Sequence, residues 1–342
     1  MALLFYQGEK LKIRNLGRTG LKVTELCIGT MTFGNQANKK TSFEILDKAY
    51  SSGINFIDTA DAYPLGKTYE FAGGTEAIVG EWMKGKRDEV VLATKCFMPT
   101  GSGPNDVGMS RKHIMSAIDK SLQRLGTDYI DLYQIHNFDP LTPIEEMLSA
   151  FDDLLHEGKI RYIGVSNWRA WQVEKANGIA ERKNLFRIVC VQPRYNLLFR
   201  MIEEELVPMA MDEGLGLIAY NPLAGGMLSG RYKEGTMPEE GTRFTLENSA
   251  GERYRERYWQ TATFEIVSKY LSWCKERGMD PVATAVHWVT QQPGITSAII
   301  GASRSEQLDA SLHSAEVPNI SREELAWLDE MWYSLPRRRE TR

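Results

Sequence analysis

Asn55-Phe56-Ile57-Asp58-Thr59-Ala60-Asp61-Ala62-Tyr63 reads as the end of a β-strand running into a loop. At the strand period of two, Phe56 and Asp58 share a face, so a carboxylate follows an apolar residue inward just before Tyr63. An unpartnered carboxylate there would be costly to bury. The stretch therefore asks for a cation, and Lys95, which closes the next apolar run Val90-Val91-Leu92-Ala93-Thr94, is the candidate. His136 closes the run after that, Ile130-Asp131-Leu132-Tyr133-Gln134-Ile135. Alone, Asp58 and Lys95 could be a structural ion pair, Tyr63 a packing aromatic and His136 a satisfied histidine. Together, titratable residues at the ends of successive strands form the layout that parallel barrels use for active sites.

Outward from this stretch the pattern repeats. Leu16-Gly17-Arg18-Thr19-Gly20-Leu21 supplies turn residues inside Lys12 to Val23, which reads as a β-hairpin capping the barrel floor. The first buried strand is Leu26 to Thr30, followed by a helix from about Thr41 to Ser52 that stops at Gly53. Strands are expected near 55–60, 90–95, 130–136, 160–166, 188–193, 216–221 and 297–301. Helices fall between them near 75–84, 110–125, 143–157, 168–182 and 203–213, with more helix over 258–292. Eight strands alternating with helices predict an α/β fold of the (β/α)₈ TIM barrel kind, with an N-terminal hairpin and a long loop after the seventh strand. A doubly wound sheet is the rival, but its Gly-x-Gly-x-x-Gly fingerprint is absent. No linker or composition break divides the chain, so residues 1–342 are taken as one domain. Ala224 to Arg257 departs from the regular spacing, and long irregular segments in compact domains are usually functional or mobile.

A chain of 342 residues, 42% of them hydrophobic, can bury a substantial core, and its net charge of −4 argues against a nucleic-acid partner. The basic run Pro336 to Arg342 is expected to be a solvated tail. Cys27, Cys96, Cys190 and Cys274 are widely spread, and the N-terminus lacks a basic region leading into an apolar segment, which suits a reduced cytoplasmic protein. No apolar run approaches the roughly 20 residues that span a bilayer, so no membrane association is expected. His113, His156, His287 and His313 stand singly in helical contexts, and no metal is expected.

Motif order carries a family resemblance. Asp58, Tyr63, Lys95 in Ala-Thr-Lys, and His136 in Leu-Tyr-Gln-Ile-His resemble the catalytic tetrad of the aldo-keto reductases. Further matches follow in order: Gly164-Val165-Ser166-Asn167, Gln192 ahead of Tyr195-Asn196, Tyr220-Asn221-Pro222-Leu223, and Ile300-Gly301-Ala302-Ser303-Arg304 leading to Gln307-Leu308. Ser229-Gly230-Arg231-Tyr232, in the long segment, is most similar to the branch holding potassium-channel β subunits and bacterial sugar or general reductases. The resemblance implies reduction of an aldehyde or ketone, possible keto sugars included, with Tyr63 donating a proton to the developing alkoxide. An ordinary tyrosine titrates near 10; Lys95 is expected to lower that value, Asp58 to hold Lys95 charged, and His136 to hydrogen-bond the carbonyl oxygen.

The resemblance also implies NADPH/NADP+ across the barrel mouth. Ser166, Asn167 and Gln192 would bind the carboxamide, and Tyr220 would stack on the nicotinamide. Gly29, Thr30, Met31 and Asp58, with Asn221, Pro222 and Gly226, complete the expected cofactor wall. Leu223, Arg231, Gly301, Ser303, Arg304 and Gln307 match positions along the pyrophosphate and adenosine, with Arg304 suited to a 2′-phosphate. Two departures touch the adenine end: Ala310 and Ser311 replace a common Glu-Asn pair, and Asn221 stands where a serine often precedes the proline. Phe33, Phe97, Met98, Phe138 and Trp168 could wall an apolar substrate pocket or simply pack. Three functions are weighed: a carbonyl reductase with a small-molecule substrate; a cofactor-binding regulatory subunit like the channel β subunits; and a metal-dependent barrel hydrolase, for which no ligand cluster can be assembled. Oligomeric state is left open.

Overall fold

The computed structural model describes residues 11–336. Strands β1 (Ile13–Asn15) and β2 (Lys22–Thr24) pair antiparallel, with Ile13 opposite Thr24 and Asn15 opposite Lys22. At the tip Gly17 has φ 59°, and a β-carbon there would stand 2.5 Å from the Gly214 carbonyl oxygen, so glycine lets the turn settle against the 214–216 backbone. Eight parallel strands follow: β3 (Leu26–Gly29), β4 (Phe56–Asp58), β5 (Val91–Cys96), β6 (Ile130–Ile135), β7 (Ile160–Ser166), β8 (Ile188–Gln192), β9 (Gly216–Tyr220) and β10 (Ile295–Ile300). They close in sequence order, with β10 bonded to both β9 and β3. The (β/α)₈ expectation holds strand by strand.

Between the strands lie α1 (Lys39–Ser51), α2 (Gly74–Trp82), α3 (Arg111–Leu125), α4 (Ile144–His156), α5 (Ala170–Lys183) and α6 (Leu206–Glu213). Caps fix several starts: Asn38 accepts from the Thr41 amide at 3.0 Å, and Ser110 from the His113 amide at 3.3 Å. Strand side chains alternate between two apolar environments. Leu26, Ile28, Ile57, Leu92, Tyr133 and Ile135 pack outward in the main core, while Cys27, Phe56, Val91, Ala93, Leu132, Cys190, Ile218 and Ile299 fill the barrel. Leu16 and Val23 of the hairpin join the interior cluster and are fully buried. Each contributes about 1.5–3 kcal/mol by leaving water. The hairpin thus plugs the floor, as expected.

The four cysteines are all buried and free. Among the described residues, no helix is long and apolar enough to cross a membrane. The basic tail beyond Pro336 lies outside the described residues.

The segment after β9 departs from expectation. Ala224–Arg257 is not irregular throughout: it holds 3₁₀ turns at Ala224–Ser229 and Arg243–Thr245 and the helix α7 (Ser249–Tyr258). Its sequence, Ser-Ala-Gly-Glu-Arg-Tyr-Arg-Glu-Arg-Tyr, lacks an aliphatic stripe; the buried face is Ala250, Gly251, Tyr254 and Tyr258, and aromatic packing replaces it. Phe244 makes edge contacts with Tyr232, Tyr254 and Trp259 at centroid distances of 4.9, 6.1 and 4.8 Å. The segment straps across the mouth. Tyr258 Oη accepts from Asn196 and Asn221 at one end, and at the other Gln36 donates to the Gly241 carbonyl, Asn248 donates to that of Gly66, and Lys67 pairs with Glu247. Helices α8 (Thr261–Glu276) and α9 (Pro281–Gln291) lead into β10, and α10 (Leu308–His313) and α11 (Arg322–Tyr333) follow it. The helical context expected for His313 is α10, whereas α11 was not anticipated, although Ser321 and Glu324 form a Ser-x-x-Glu capping box at its start.

Candidate active site

Period-two alternation sends Asp58, Lys95, Gln134, Ser166 and Gln192 inward above the apolar barrel layer. Lys95 is wholly buried and Asp58 is 4% exposed. Lys95 Nζ donates to Asp58 Oδ1 at 2.5 Å and to the Thr59 carbonyl at 2.8 Å. Asp58 Oδ2 accepts from Gln134 Nε2 at 3.0 Å and Gln192 Nε2 at 2.8 Å, so both carboxylate oxygens are satisfied. Gln134 was not anticipated, yet it lies between Leu132 and His136 on one face of β6. Room for its stem comes from Gly164, where a β-carbon would stand 2.9 Å from Gln134 Cγ.

Tyr63 sits over this pair. Lys95 Nζ is 5.2 Å from the centre of its ring, and the His136 ring meets it edge-on at 5.8 Å. Burial pushes the Tyr63 pKa above its usual value, outweighing the opposing field of Lys95. The expected lowering is therefore reversed: Lys95 acts in that direction, but desolvation of the phenolate wins. For Lys95, burial favours the neutral amine, but Asp58 and the Tyr63 hydroxyl more than offset it and raise the pKa. Burial, helped by Lys95, lowers the His136 pKa to about 3, so the imidazole is neutral, with Nδ1 buried and without a partner.

A second network lies beside the first. Asn167, at φ 60°, donates from Nδ2 to the His136 carbonyl at 3.0 Å and to Ser166 Oγ at 3.1 Å, while its Oδ1 accepts from Tyr220 Oη at 2.8 Å. Ser166 Oγ donates to the Gln192 carbonyl at 2.9 Å. One hydrogen-bonded chain therefore ties the ends of β6, β7, β8 and β9.

These residues border a cavity of about 450 Å³, within the range of small-molecule sites. Its lining brings together Gly29, Thr30, Met31, Asp58, Tyr63, His136, Ser166, Asn167, Gln192, Tyr220, Asn221, Pro222, Leu223, Gly226, Arg231, Gly301, Ser303 and Gln307. Lys95 lies beneath the wall. Arg304 is exposed and not part of the lining, while Ala310 is part of it. Phe33, Phe97, Met98, Phe138 and Trp168 do not line it: Phe33 is fully buried in the core, and Phe138 packs edge-on against Trp168 at 5.0 Å. The strap adds residues that motif matching missed, among them Arg243, Arg253, Tyr254 and Arg257. Arg243 Nη1 is buried without a partner. No spacing rule singles these residues out, since the strap alone carries them to the mouth.

Among the described residues, no group of three or more His, Cys, Asp or Glu is placed to hold a metal ion. Barrel and mouth define the class, a (β/α)₈ protein with titratable side chains gathered where its parallel strands end. Residues 25–333 match the Aldo/keto reductase family, and the chain belongs to that family, as its motifs led us to expect. It is 39% identical over 325 residues to the uncharacterized oxidoreductase YrpG of Bacillus subtilis, covering 93% of this chain and 94% of that protein. It is 35% identical to a probable voltage-gated potassium channel subunit beta of Arabidopsis thaliana, covering 97% and 99%, and 34% identical to Protein tas of Escherichia coli, covering 93% and 97%. The chain is thus an oxidoreductase of a family that typically uses NAD(P)H on small carbonyl substrates.

Proposed function

We propose that this protein is an NADPH-dependent carbonyl reductase in which Tyr63 is the general acid. The carrying observation is the buried Lys95–Asp58 pair directly under Tyr63, with neutral His136 beside it. The cavity suits the nucleotide. Buried Arg243 Nη1 lacks the acceptor that a phosphate oxygen would be, Tyr220 offers an aromatic face, and Gln192 commits its Nε2 to Asp58, leaving Oε1 for a carboxamide N–H. When bound, the nicotinamide supplies a hydride to the carbonyl carbon. Tyr63 is protonated at neutral pH and gives its proton to the carbonyl oxygen as negative charge develops there. Lys95 stabilises the resulting phenolate, and Asp58 keeps Lys95 charged and aimed. His136, as a neutral imidazole, offers a ring N–H to the same oxygen. Ser166, Asn167 and Gln192 orient the carboxamide, Leu223, Arg231, Gly301, Ser303 and Gln307 serve the phosphate and adenosine end, and Arg243, with its buried Nη1, meets the 2′-phosphate in place of exposed Arg304.

Aldehydes, ketones and keto sugars offered with NADPH, followed by loss of nicotinamide absorbance, test this. Turnover that Tyr63→Phe abolishes supports it, and no turnover across the panel sinks it. A second reading, a cofactor-binding regulatory subunit, is favoured by the 35% identity with the Arabidopsis protein over nearly the whole of both chains. Absent turnover together with specific capture of a channel by the purified protein would favour that reading.

A further inference from the structure

The strap brings an unusual charge to the mouth. Arg231, Arg243, Arg253 and Arg257 all line the cavity, whereas Asp58 and Glu306 are its only carboxylates among the described lining residues. Asp58 is already bound to Lys95. The mouth of a chain with net charge −4 is therefore positive, and a low-dielectric cleft focuses such a field.

Two of the four arginines have other work. Arg231 is paired with Glu239 at 2.6 Å, and Arg243 lies against Gly301, where a β-carbon would be 3.6 Å from its Nη2, at the end of β10. Arg253 and Arg257 are different. They stand one turn apart on α7, on the face that also sends Ala250 and Tyr254 to the cavity. Arg253 donates only to Ser249 Oγ, and Arg257 has no hydrogen-bond or ion-pair partner among the described residues. Both guanidiniums are exposed at the rim of the cavity, and their acidic neighbours Glu252 and Glu256, also exposed, do not line it. Tyr258, next in the chain to Arg257, is anchored to Asn221, the residue after Tyr220. Tyr254 lies close enough to act on the ionisation of both Tyr63 and Tyr220. Arg257 itself also acts on the ionisation of Tyr220, so this face of α7 borders the Tyr220 side of the cavity, with Arg243 near Tyr63 as well.

We propose that Arg257, with Arg253 one turn before it, reads a carboxylate or phosphate on the carbonyl substrate, making anionic aldehydes or ketones the preferred class. This rests on the carbonyl reductase reading above. An unpaired guanidinium beside a cavity gains a charge-assisted, geometrically specific bond when such a group enters, whereas a neutral substrate leaves it to solvent.

The test compares initial rates, at saturating NADPH, on two matched pairs: 4-carboxybenzaldehyde with methyl 4-formylbenzoate, and glyceraldehyde 3-phosphate with glyceraldehyde. The anionic member of at least one pair should have a kcat/KM about tenfold or more higher, and the pair with the larger ratio identifies the anion. Arg253→Gln/Arg257→Gln should lower that ratio roughly 10- to 100-fold, mainly through KM, with less effect as salt is raised. An unaltered ratio, a preference for the neutral members, or a matching loss of NADPH affinity would overturn the proposal; the last would reassign both arginines to the cofactor phosphates. Calorimetric titration of terephthalate and of inorganic phosphate, with NADPH present, decides the matter even if nothing is reduced. Saturable binding that the double substitution removes supports the anion site, and binding that is absent or insensitive to it refutes the site independently of turnover.

Discussion

Replacing Lys95 with methionine keeps a stem of similar length and deletes the ammonium from a pair that is almost wholly desolvated. Removing one partner of a buried pair costs about 3–5 kcal/mol. Asp58 Oδ2 keeps its amide donors from Gln134 and Gln192, which favours the lower end, while the Thr59 carbonyl loses its 2.8 Å donor, which adds about 1 kcal/mol. The expected loss is about 4 kcal/mol. With an unfolding entropy of about 2.1 cal/mol/K per residue, 342 residues convert this to a melting point lower by about 6 °C in calorimetry. Asp58→Asn/Lys95→Met removes both charges and should recover about half the loss, because the two glutamines still have an oxygen to donate to. The sign with pH is also fixed. The folded pKa of Lys95 is raised, so its stabilisation is complete below the unfolded value near 10.5 and lost as pH rises through the higher folded value. The gap between wild type and Lys95→Met should therefore hold steady through neutral pH and narrow only in strong alkali. An unchanged melting point, or a double variant as unstable as the single one, would refute the reasoning.

Other outcomes follow from the same geometry. Tyr63→Phe should reduce carbonyl turnover by about 10²- to 10⁴-fold while fluorescence still reports NADPH binding; near-normal turnover would remove Tyr63 as the acid. His136, neutral down to about pH 3, should leave no limb near 6.5 in the rate profile. Its depressed pKa also makes a stabilisation that is present above 6.5 and lost as pH falls toward 3, so His136→Gln should flatten the acid side of a melting-point curve. Arg243→Ala should weaken NADPH by roughly 10- to 150-fold and NADH by less, whereas exposed Arg304→Ala should have the smaller effect; the reverse order would return the 2′-phosphate to Arg304.

Strand-end chemistry was legible because two short-range rules coincide there. Period-two alternation told which way Asp58 and Lys95 point, and the cost of burying charge said that they must meet. The same alternation was enough to find Gln134, had the polar residue between Leu132 and His136 been followed inward. Other features depend on contacts that no local rule encodes. Helix α7 hides its packing in tyrosines spaced along a charged segment, and Arg243, Arg253 and Arg257 reach the cavity only because the strap is tied to Gly66 and Asn221. The direction of the Tyr63 shift depended on a balance, desolvation against a nearby cation, that sequence identifies but cannot weigh. Arg304 was read from motif order, which fixes a place in the chain but not the depth of a side chain.

The plugged barrel, filled by its own apolar side chains, is a vessel only at its mouth, where the cavity lies. Leu16 and Val23 fill the far end, so every reactant must pass the same rim, under the same strap. In such a vessel, loading follows depth. For the proposed reaction, the nucleotide would lie along the wall from Tyr220 to Gln307, and the carbonyl compound would rest above its nicotinamide. On that reading the nucleotide would enter first and depart last, and the strap at the mouth, not the floor, is the element that both reactants meet.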